Sequence, residues 1–235
     1  TETIAAAGLV GIATVNGQGA RVTVTPFGGG ARRLATNPIS AAFPMPNGQP
    51  PVLLDFATSA VAANKVRQAH SRGKPLGDGW VLRPDGSPTT DPLDFIEGGA
   101  VMQPLGGEQG HKGYGLAVMV DILSGILAGS GAAPVEDKNT DLNNGTFLIA
   151  IDPEAFLERS DYEAKLQAYV DYLRATPPAP GKPAVQVPGD YEANHDKKRQ
   201  AHGIEIEDSV WQEMLVAAAK VQVTPPPLQV PPPRP

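Results

Sequence analysis

The chain contains no cysteine. That one absence excludes a disulfide framework, a thiolate metal centre and a cysteine nucleophile, and it fits a reducing, cytoplasmic setting. Positive charge is also scarce: 19 Lys and Arg stand against 25 Asp and Glu, for a net charge of −6. A general nucleic-acid binder would show a basic face, so no nucleic-acid partner is expected. No apolar run is long enough to span a bilayer, and the longest is broken by Asp121, Ser124 and Gly125. Residues 1–12 lack the basic n-region of a secretory leader. A soluble protein with no membrane partner is the expectation.

Chemical signatures are missing too. There is no G-x-S-x-G elbow, so serine hydrolase chemistry has no support. The histidines, His70, His111, His195 and His202, show no helical zinc spacing, and no thiol assists them, so no metal centre is expected. His195 sits in the charged stretch "EANHDKKRQAHG" and reads as solvated.

What remains is a globular composition: 41% hydrophobic and 19% charged over 235 residues, enough to bury a substantial core. Most of the 26 glycines punctuate residues 8–145, whereas many of the 25 prolines crowd 176–188 and 225–235. Strands are expected at Val10–Val15, Arg21–Val24, Ile39–Phe43, Pro51–Leu54 and Thr146–Ile151, from their β-branched and apolar content between turn residues. Helical spacing predicts Ala57–Gln68, Tyr114–Leu127, Glu163–Arg174 and Asp208–Lys220, the last with Asp208 as cap. This alternation predicts an α/β fold, a layered α/β/α arrangement with a mixed sheet and a helical C-terminal segment. The expected division is a domain over 1–175, a C-terminal segment over 176–223 and a proline-rich tail over 224–235. The opening "TETIAAAGLVGIATV" reads as the last turn of a helix stopped by Gly8, followed by a strand, so a further segment is expected before it.

Three stretches are candidate sites. "GGEQGHKGYGLAVMVDILSGILAGSG" (106–131) sets glycines, His111 and Lys112 before an apolar helix. A helix N-terminus with Lys112 beside it suits a phosphate. A plain loop-to-helix turn explains it equally well, and its order matches neither the Rossmann nor the P-loop fingerprint. "VLLDFATSA" (52–60) delivers Asp55 at a strand end, to bind a ribose hydroxyl or orient a catalytic group. The competing and favoured pattern reading is a helix cap shared with Thr58 and Ser59. "LATNPIS" (34–40) offers Thr36 and Asn37, which read as a turn on pattern alone.

Several blocks in order resemble one family. They are "AGLVGI" (7–12), "TPFGGGARRLATNP" (25–38), "PPVLLDFATSAVAANKV" (50–66), "GSPTTDP" (86–92), "PLGGEQGHKGYGLAVMVDILSGILAGS" (104–130), "VPGDYEA" (187–193) and "HGIEIEDSVWQEM" (202–214). Together they are similar to the type-II malate/L-lactate dehydrogenases, NAD(P)-dependent 2-hydroxyacid oxidoreductases with a non-Rossmann nucleotide-binding domain. The resemblance implies NAD or NADP as cofactor, a small 2-oxo or 2-hydroxy acid as substrate and a homodimer. It implies cofactor contacts at Val52, Leu53, Leu54, Asp55, His111, Lys112, Gly189, Asp190 and Tyr191, and active-site roles for Asp55 and Thr36. The glycines would then be backbone room for a dinucleotide. Arg32 and Arg33 are candidates for reading a 2′-phosphate, against a solvated pair in a loop.

The family's general acid/base is a histidine in a Ser-His-Gly motif of an N-terminal helical region, and no histidine here has that setting. The resemblance therefore implies either an enzyme that needs a separate N-terminal piece or a catalytically silent nucleotide-binding fragment.

Overall fold

The computed structural model describes residues 1–19, 22–132 and 143–227. They form two compact units, Thr1–Pro188 and Gly189–Pro235. The first carries two sheets. The larger orders its strands β3-β2-β1-β7, with β1 at Val10–Val15, β2 at Ile39–Phe43, β3 at Val52–Phe56 and β7 at Thr146–Ile151. The smaller has the order β5-β4-β6, from β4 (Val81–Leu82), β5 (Pro88–Thr89) and β6 (Val101–Met102). Every ladder in both is antiparallel, and a parallel element enters as a bridge between Val24 and Met102.

Three predicted strands keep their bounds, and the expected Pro51–Leu54 starts one residue later and ends two later, at Phe56. The stretch ending at Val24 does not become a strand, and Arg21 lies outside the described residues. The amides of Thr23 and Val24 converge on the one carbonyl of Leu34, at 2.9 and 2.8 Å. Two residues facing one make a bulge, which stops the ladder after a single rung.

Layering follows from strand parity. Helix α1 (Glu2–Ala6) ends at Gly8, whose φ of 80° lets its amide and that of Leu9 turn back to Ala5 and Ile4. It lies on Gly11, where a Cβ would sit 2.9 Å from Ile4 Cβ. Three residues on, Thr14 Oγ1 pairs with Ser124 Oγ at 2.6 Å. Successive strand side chains alternate faces, so residues 11 and 14 point opposite ways. Residues around Ser124 therefore cover the other face of β1, and the sheet is sandwiched between helical segments.

That second covering element is α4 (His111–Val120), which widens into π-helical turns over Asp121–Leu127 and packs on β1 and β7. The smaller sheet, α2 (Ala63–Ser71) and α3 (Pro92–Ile96) enclose a core including Val24, Leu34, Val66, Val81, Phe95 and Met102. Asp91 Oδ1 caps α3 by accepting from the Leu93 amide. Helix α5 (Arg159–Arg174) starts four residues before the predicted Glu163 and buries Val170. Its Arg159 Nη1 donates to Gly8 O at 2.8 Å.

Helix α2 corrects the predicted Ala57–Gln68, because it begins only at Ala63. Residues 57–61 are claimed by tertiary bonds: Thr58 N donates to Thr36 O and Ala60 N to Gln103 O. Local helical pattern yields to that pairing.

The second unit holds α6 (Asp190–His202) and α7 (Asp208–Lys220). Helix α7 keeps its predicted bounds, but Glu207 stands at its cap position and Asp208 is the first helical residue. Helix α6 went unforeseen, and His195 lies within it, half-buried, with its ring 4.3 Å from that of Tyr191. The predicted proline tail falls mostly on residues 228–235, outside the described ones.

Candidate active site

Asp55 is the penultimate residue of the outer strand β3, exposed and opposite Ser40 of β2. Ser40 Oγ in turn pairs with Thr1 Oγ1 at 2.6 Å. Asp55 caps no helix, because α2 opens at Ala63 with no side-chain cap. Beside it, Leu53 N–H donates to Pro188 O at 3.0 Å, which ties the 52–55 stretch to the end of the first unit.

Thr58 does more than the expected capping. Its amide and its hydroxyl donate to Thr36 O at 2.9 and 3.0 Å, and the hydroxyl also donates to Asn37 O at 3.0 Å. Its own carbonyl accepts from Leu105 N at 2.9 Å, immediately before the glycine-rich turn. Thr58 is fully buried. The "LATNP", "VLLDFATSA" and "PLGGEQGHKGYG" stretches thus converge on one residue. The turn at Asn37 has φ 39°, a left-handed conformation uncommon for a side-chain-bearing residue. Asn37 Nδ2 donates to Ala117 O of α4, which ties the turn directly to that helix.

The glycine-rich turn enters α4 through a 3₁₀ turn at Gly107–Gln109, and no side chain caps the helix at Gly110. His111 and Lys112 occupy its first turn, both exposed, with His111 edge-on to Phe27 at 5.8 Å. The glycines divide into two kinds. At Gly113 a Cβ would stand 2.7 Å from Leu105 N, and at Gly110 it would press on Phe27 at 3.1 Å. Those two are consumed by the chain's own packing. At Gly107 and Gly115 a Cβ would meet nothing within 4 Å, so the room expected for a ligand lies there.

A cleft of about 550 Å³ opens at the Thr36–Asn37 turn, lined among others by Asn16, Thr23, Thr36, Asn37, Asn64 and Arg67. Neither Asp55 nor Lys112 is among its described lining residues. Arg67 supplies a cation at this polar wall, and its Nη1 contacts Asn64 Oδ1 at 3.4 Å.

Arg32 turns its Nε and Nη2 to the chain's own backbone. Its Nε and Nη2 donate to Ala100 O, Nη2 also donates to Phe95 O at 2.8 Å, and the guanidinium lies 4.8 Å from the Phe95 ring. Burial lowers its pKa from the ordinary arginine value. Its donors are spent on carbonyls, whereas Arg33 is exposed. Gly189, Asp190 and Tyr191 open the second unit, where Gly189, at φ 97°, stands at the start of α6.

Sequence reasoning missed Asn16 and Asp121. Asn16 is buried, donates to Gly131 O and accepts from Gly145 N. Asp121 is buried within the apolar helix, and burial raises its pKa from the usual carboxylate value although the amides of Asn37 and Asn16 face it. A lone carboxylate in an apolar helical run was the available signal for Asp121, and it had been read only as an interruption.

The family model for malate/L-lactate dehydrogenase matches residues 1–215. Over 227 residues the chain is 38% identical to the L-lactate dehydrogenase of Cupriavidus necator, covering 96% of this chain and 64% of that protein. It is 37% identical over 228 residues to hydroxycarboxylate dehydrogenase B of Escherichia coli K12, covering 94% of this chain and 60% of that protein. Among solved structures, malate dehydrogenase from Entamoeba histolytica aligns with a TM-score of 0.85 at 27% identity, covering 96% of this chain and 64% of that one. Malate dehydrogenase from Pyrococcus horikoshii aligns at 0.80 and 30% identity, covering 94% and 60%. The chain thus spans 60–64% of the length of these four relatives.

Proposed function

We propose that this chain, which belongs to the malate/L-lactate dehydrogenase family through residues 1–215, carries the cofactor-facing part of a 2-hydroxyacid dehydrogenase. It binds NAD or NADP and serves hydride transfer between the nicotinamide and the carbonyl carbon of a small 2-oxo acid of the malate or lactate type. The observation that carries the reading is the convergence of three candidate stretches on buried Thr58, which fixes the Asp55 strand, the Thr36 turn and the start of α4 to one another.

The residues present fit a dinucleotide. Lys112 offers a cation, the start of α4 has no side-chain cap, and Gly107 and Gly115 leave open space beside the backbone. His111 and Lys112 would hold phosphate, while Val52, Leu53, Leu54 and Asp55 would line the nucleoside. Gly189, Asp190 and Tyr191 are proposed as further contacts on the family resemblance alone. When bound, the nicotinamide supplies the hydride chemistry, and the protein supplies orientation and charge. Carbonyl reduction also needs a proton at oxygen. In the proposal that proton comes from a histidine on a separate N-terminal piece, with Asp55 orienting the imidazole and Thr36 facing the substrate. The silent-fragment alternative gains nothing from the two curated relatives named above, both of which carry dehydrogenase names. A homodimer and a cytoplasmic location complete the proposal; the lack of cysteine supports only the second.

Titration calorimetry with NADH and NADPH tests the cofactor role. Lys112→Ala should weaken binding by about 1.5–3 kcal/mol if Lys112 makes a charge-assisted bond to phosphate. Unchanged affinity for both dinucleotides in that variant removes Lys112 from the site.

A further inference from the structure

The cleft at the Thr36–Asn37 turn lies at one end of the larger sheet. Val15 closes β1, while Pro38 and Asn144 come shortly before β2 and β7, and all three line it. Phe56, the last residue of β3, pairs with Ile39 at that same end, so Asp55 stands one residue in from it.

The charge in the cleft has one sign. Among its described lining residues Arg67 is the one charged side chain, in a chain whose net charge is −6. Arg67 has no carboxylate within ion-pair distance among the described residues. Its hydrogen-bond partner there is Asn64 Oδ1, at a long 3.4 Å. Helical side chains lean back toward the start of their helix, and this contact sets the guanidinium over the first turn of α2. That turn is uncapped. Ala62, at the cap position, offers no side-chain acceptor, and the amides of Ala63 and Asn64 donate to no described residue. Ala62, Ala63 and Asn64 all line the cleft. Free amides at a helix start and an unpaired guanidinium beside them suit an anion, and the planar guanidinium fork matches a carboxylate.

Asn37 makes an independent demand on the same cleft. It stands on the wall and is fully buried, its Nδ2 is committed to Ala117 O, and its Oδ1 has no donor. A buried acceptor left unmatched is costly, and a ligand hydroxyl would answer it. A 2-hydroxy acid carries both a carboxylate and a hydroxyl donor.

We propose that this cleft receives the carboxylate of a small 2-hydroxy acid, with Arg67 and the amides of Ala63 and Asn64 as its donors and Thr36 on the same wall. The identity of the acid rests on the dehydrogenase reading, whereas the anion site rests on the cleft itself.

The test is heteronuclear NMR of the full 235-residue chain, following the amides of Ala63 and Asn64 and the Arg67 Nε–H. L-malate or L-lactate is added, with and without NADH. Saturable shifts at those three groups are expected, and Arg67→Gln should weaken the acid by at least about tenfold. Arg67 is exposed, so that variant should fold as wild type does. Lys65→Gln removes an equal charge from the same helix, outside the described lining, and should leave the affinity unchanged. No saturable shift with either acid would overturn the proposal, as would equal affinity in Arg67→Gln or an equal loss in Lys65→Gln. Sodium sulfate giving the same saturation at matched ionic strength would overturn the carboxylate assignment. Failure of wild type to bind NADH or NADPH would instead refute the dinucleotide reading alone, because the acid titration is also run without cofactor.

Discussion

Gly113 and Gly115 sit two residues apart inside α4, and replacing each by alanine should move stability in opposite directions. In a helix interior, alanine is favoured over glycine by about 0.8–1 kcal/mol. At Gly115 a Cβ meets nothing within 4 Å, so Gly115→Ala should collect that gain in full. For a chain of this size that is a rise of roughly 2–4 °C in Tm. At Gly113 the same methyl would stand 2.7 Å from the amide nitrogen of Leu105. The obstacle is backbone, and that amide already donates to Thr58 O at 2.9 Å, so it yields only by disturbing the residue on which the candidate site converges. Overpacking of this kind typically costs about 1–3 kcal/mol. The helix gain offsets part of it, and Gly113→Ala should end below wild type. Thermal unfolding followed by circular dichroism reads both variants, and calorimetry adds a second axis. If the room at Gly115 admits a dinucleotide, Gly115→Ala should bind NADH or NADPH more weakly while melting higher. Equal melting of the two variants would refute the packing argument, and unchanged affinity in Gly115→Ala would refute the assignment of that open space to the cofactor.

Asp121 gives a pH dependence with a definite sign. Burial raises its folded-state pKa, so its contribution is fully present below the unfolded value of about 3.9 and is lost as pH rises through the folded value. Unfolding midpoints of wild type and Asp121→Asn across that range should therefore separate as pH rises, with the asparagine form ahead at neutral pH. A gap independent of pH would show that folding does not shift the Asp121 pKa. Arg32→Ala should destabilise the chain while leaving the NADPH-to-NADH affinity ratio unchanged, because Arg32 donates to Phe95 O and Ala100 O; a changed ratio would place Arg32 at the 2′-phosphate. Removal of residues 228–235 should leave Tm within about a degree, since chain ends not tied into a core tolerate truncation, and a loss of several degrees would show that they pack on the body. In assays of NAD(P)H oxidation with oxaloacetate or pyruvate, the chain alone should turn over poorly and gain activity when the N-terminal segment of a relative is added. Robust turnover by the chain alone would move the acid role to a residue present here, with His111 the first to test.

The parts of the fold carried by local signals were legible. Alternation and β-branching located β1, β2 and β7 with their bounds, and Gly8 marked the stop of α1. The failures have two physical causes. Residues 57–61 have a helical pattern, but their amides answer carbonyls of Thr36 and Gln103, which are distant in sequence. Helix α6 has the opposite problem: its Glu, Lys, Arg, Gln and Ala favour helix, but without an apolar stripe there was no period to detect. In the site, glycine spacing suggested a backbone approach without saying what approaches. Structure alone separates Gly113, filled by Leu105, from Gly115, which faces open space.

Thr58 shows why the site resisted reading from pattern. As a sequence feature it is a polar residue ahead of a helix, which is a cap signature. Its chemistry is instead to divide its polar groups between two other segments: the amide and hydroxyl to the 36–37 turn, the carbonyl to Leu105. A residue so placed contributes little that a ligand would touch, yet it sets the spacing among three segments that would. A second tie holds the same turn to α4, through Asn37 Nδ2 donating to Ala117 O. A turn with one non-glycine residue at φ 39° needs both grips, because either alone leaves a route for the backbone to relax. The consequence is that the identity of buried Thr58 should matter to the geometry of Thr36 as much as the turn's own sequence does, although Thr58 carries no motif of its own.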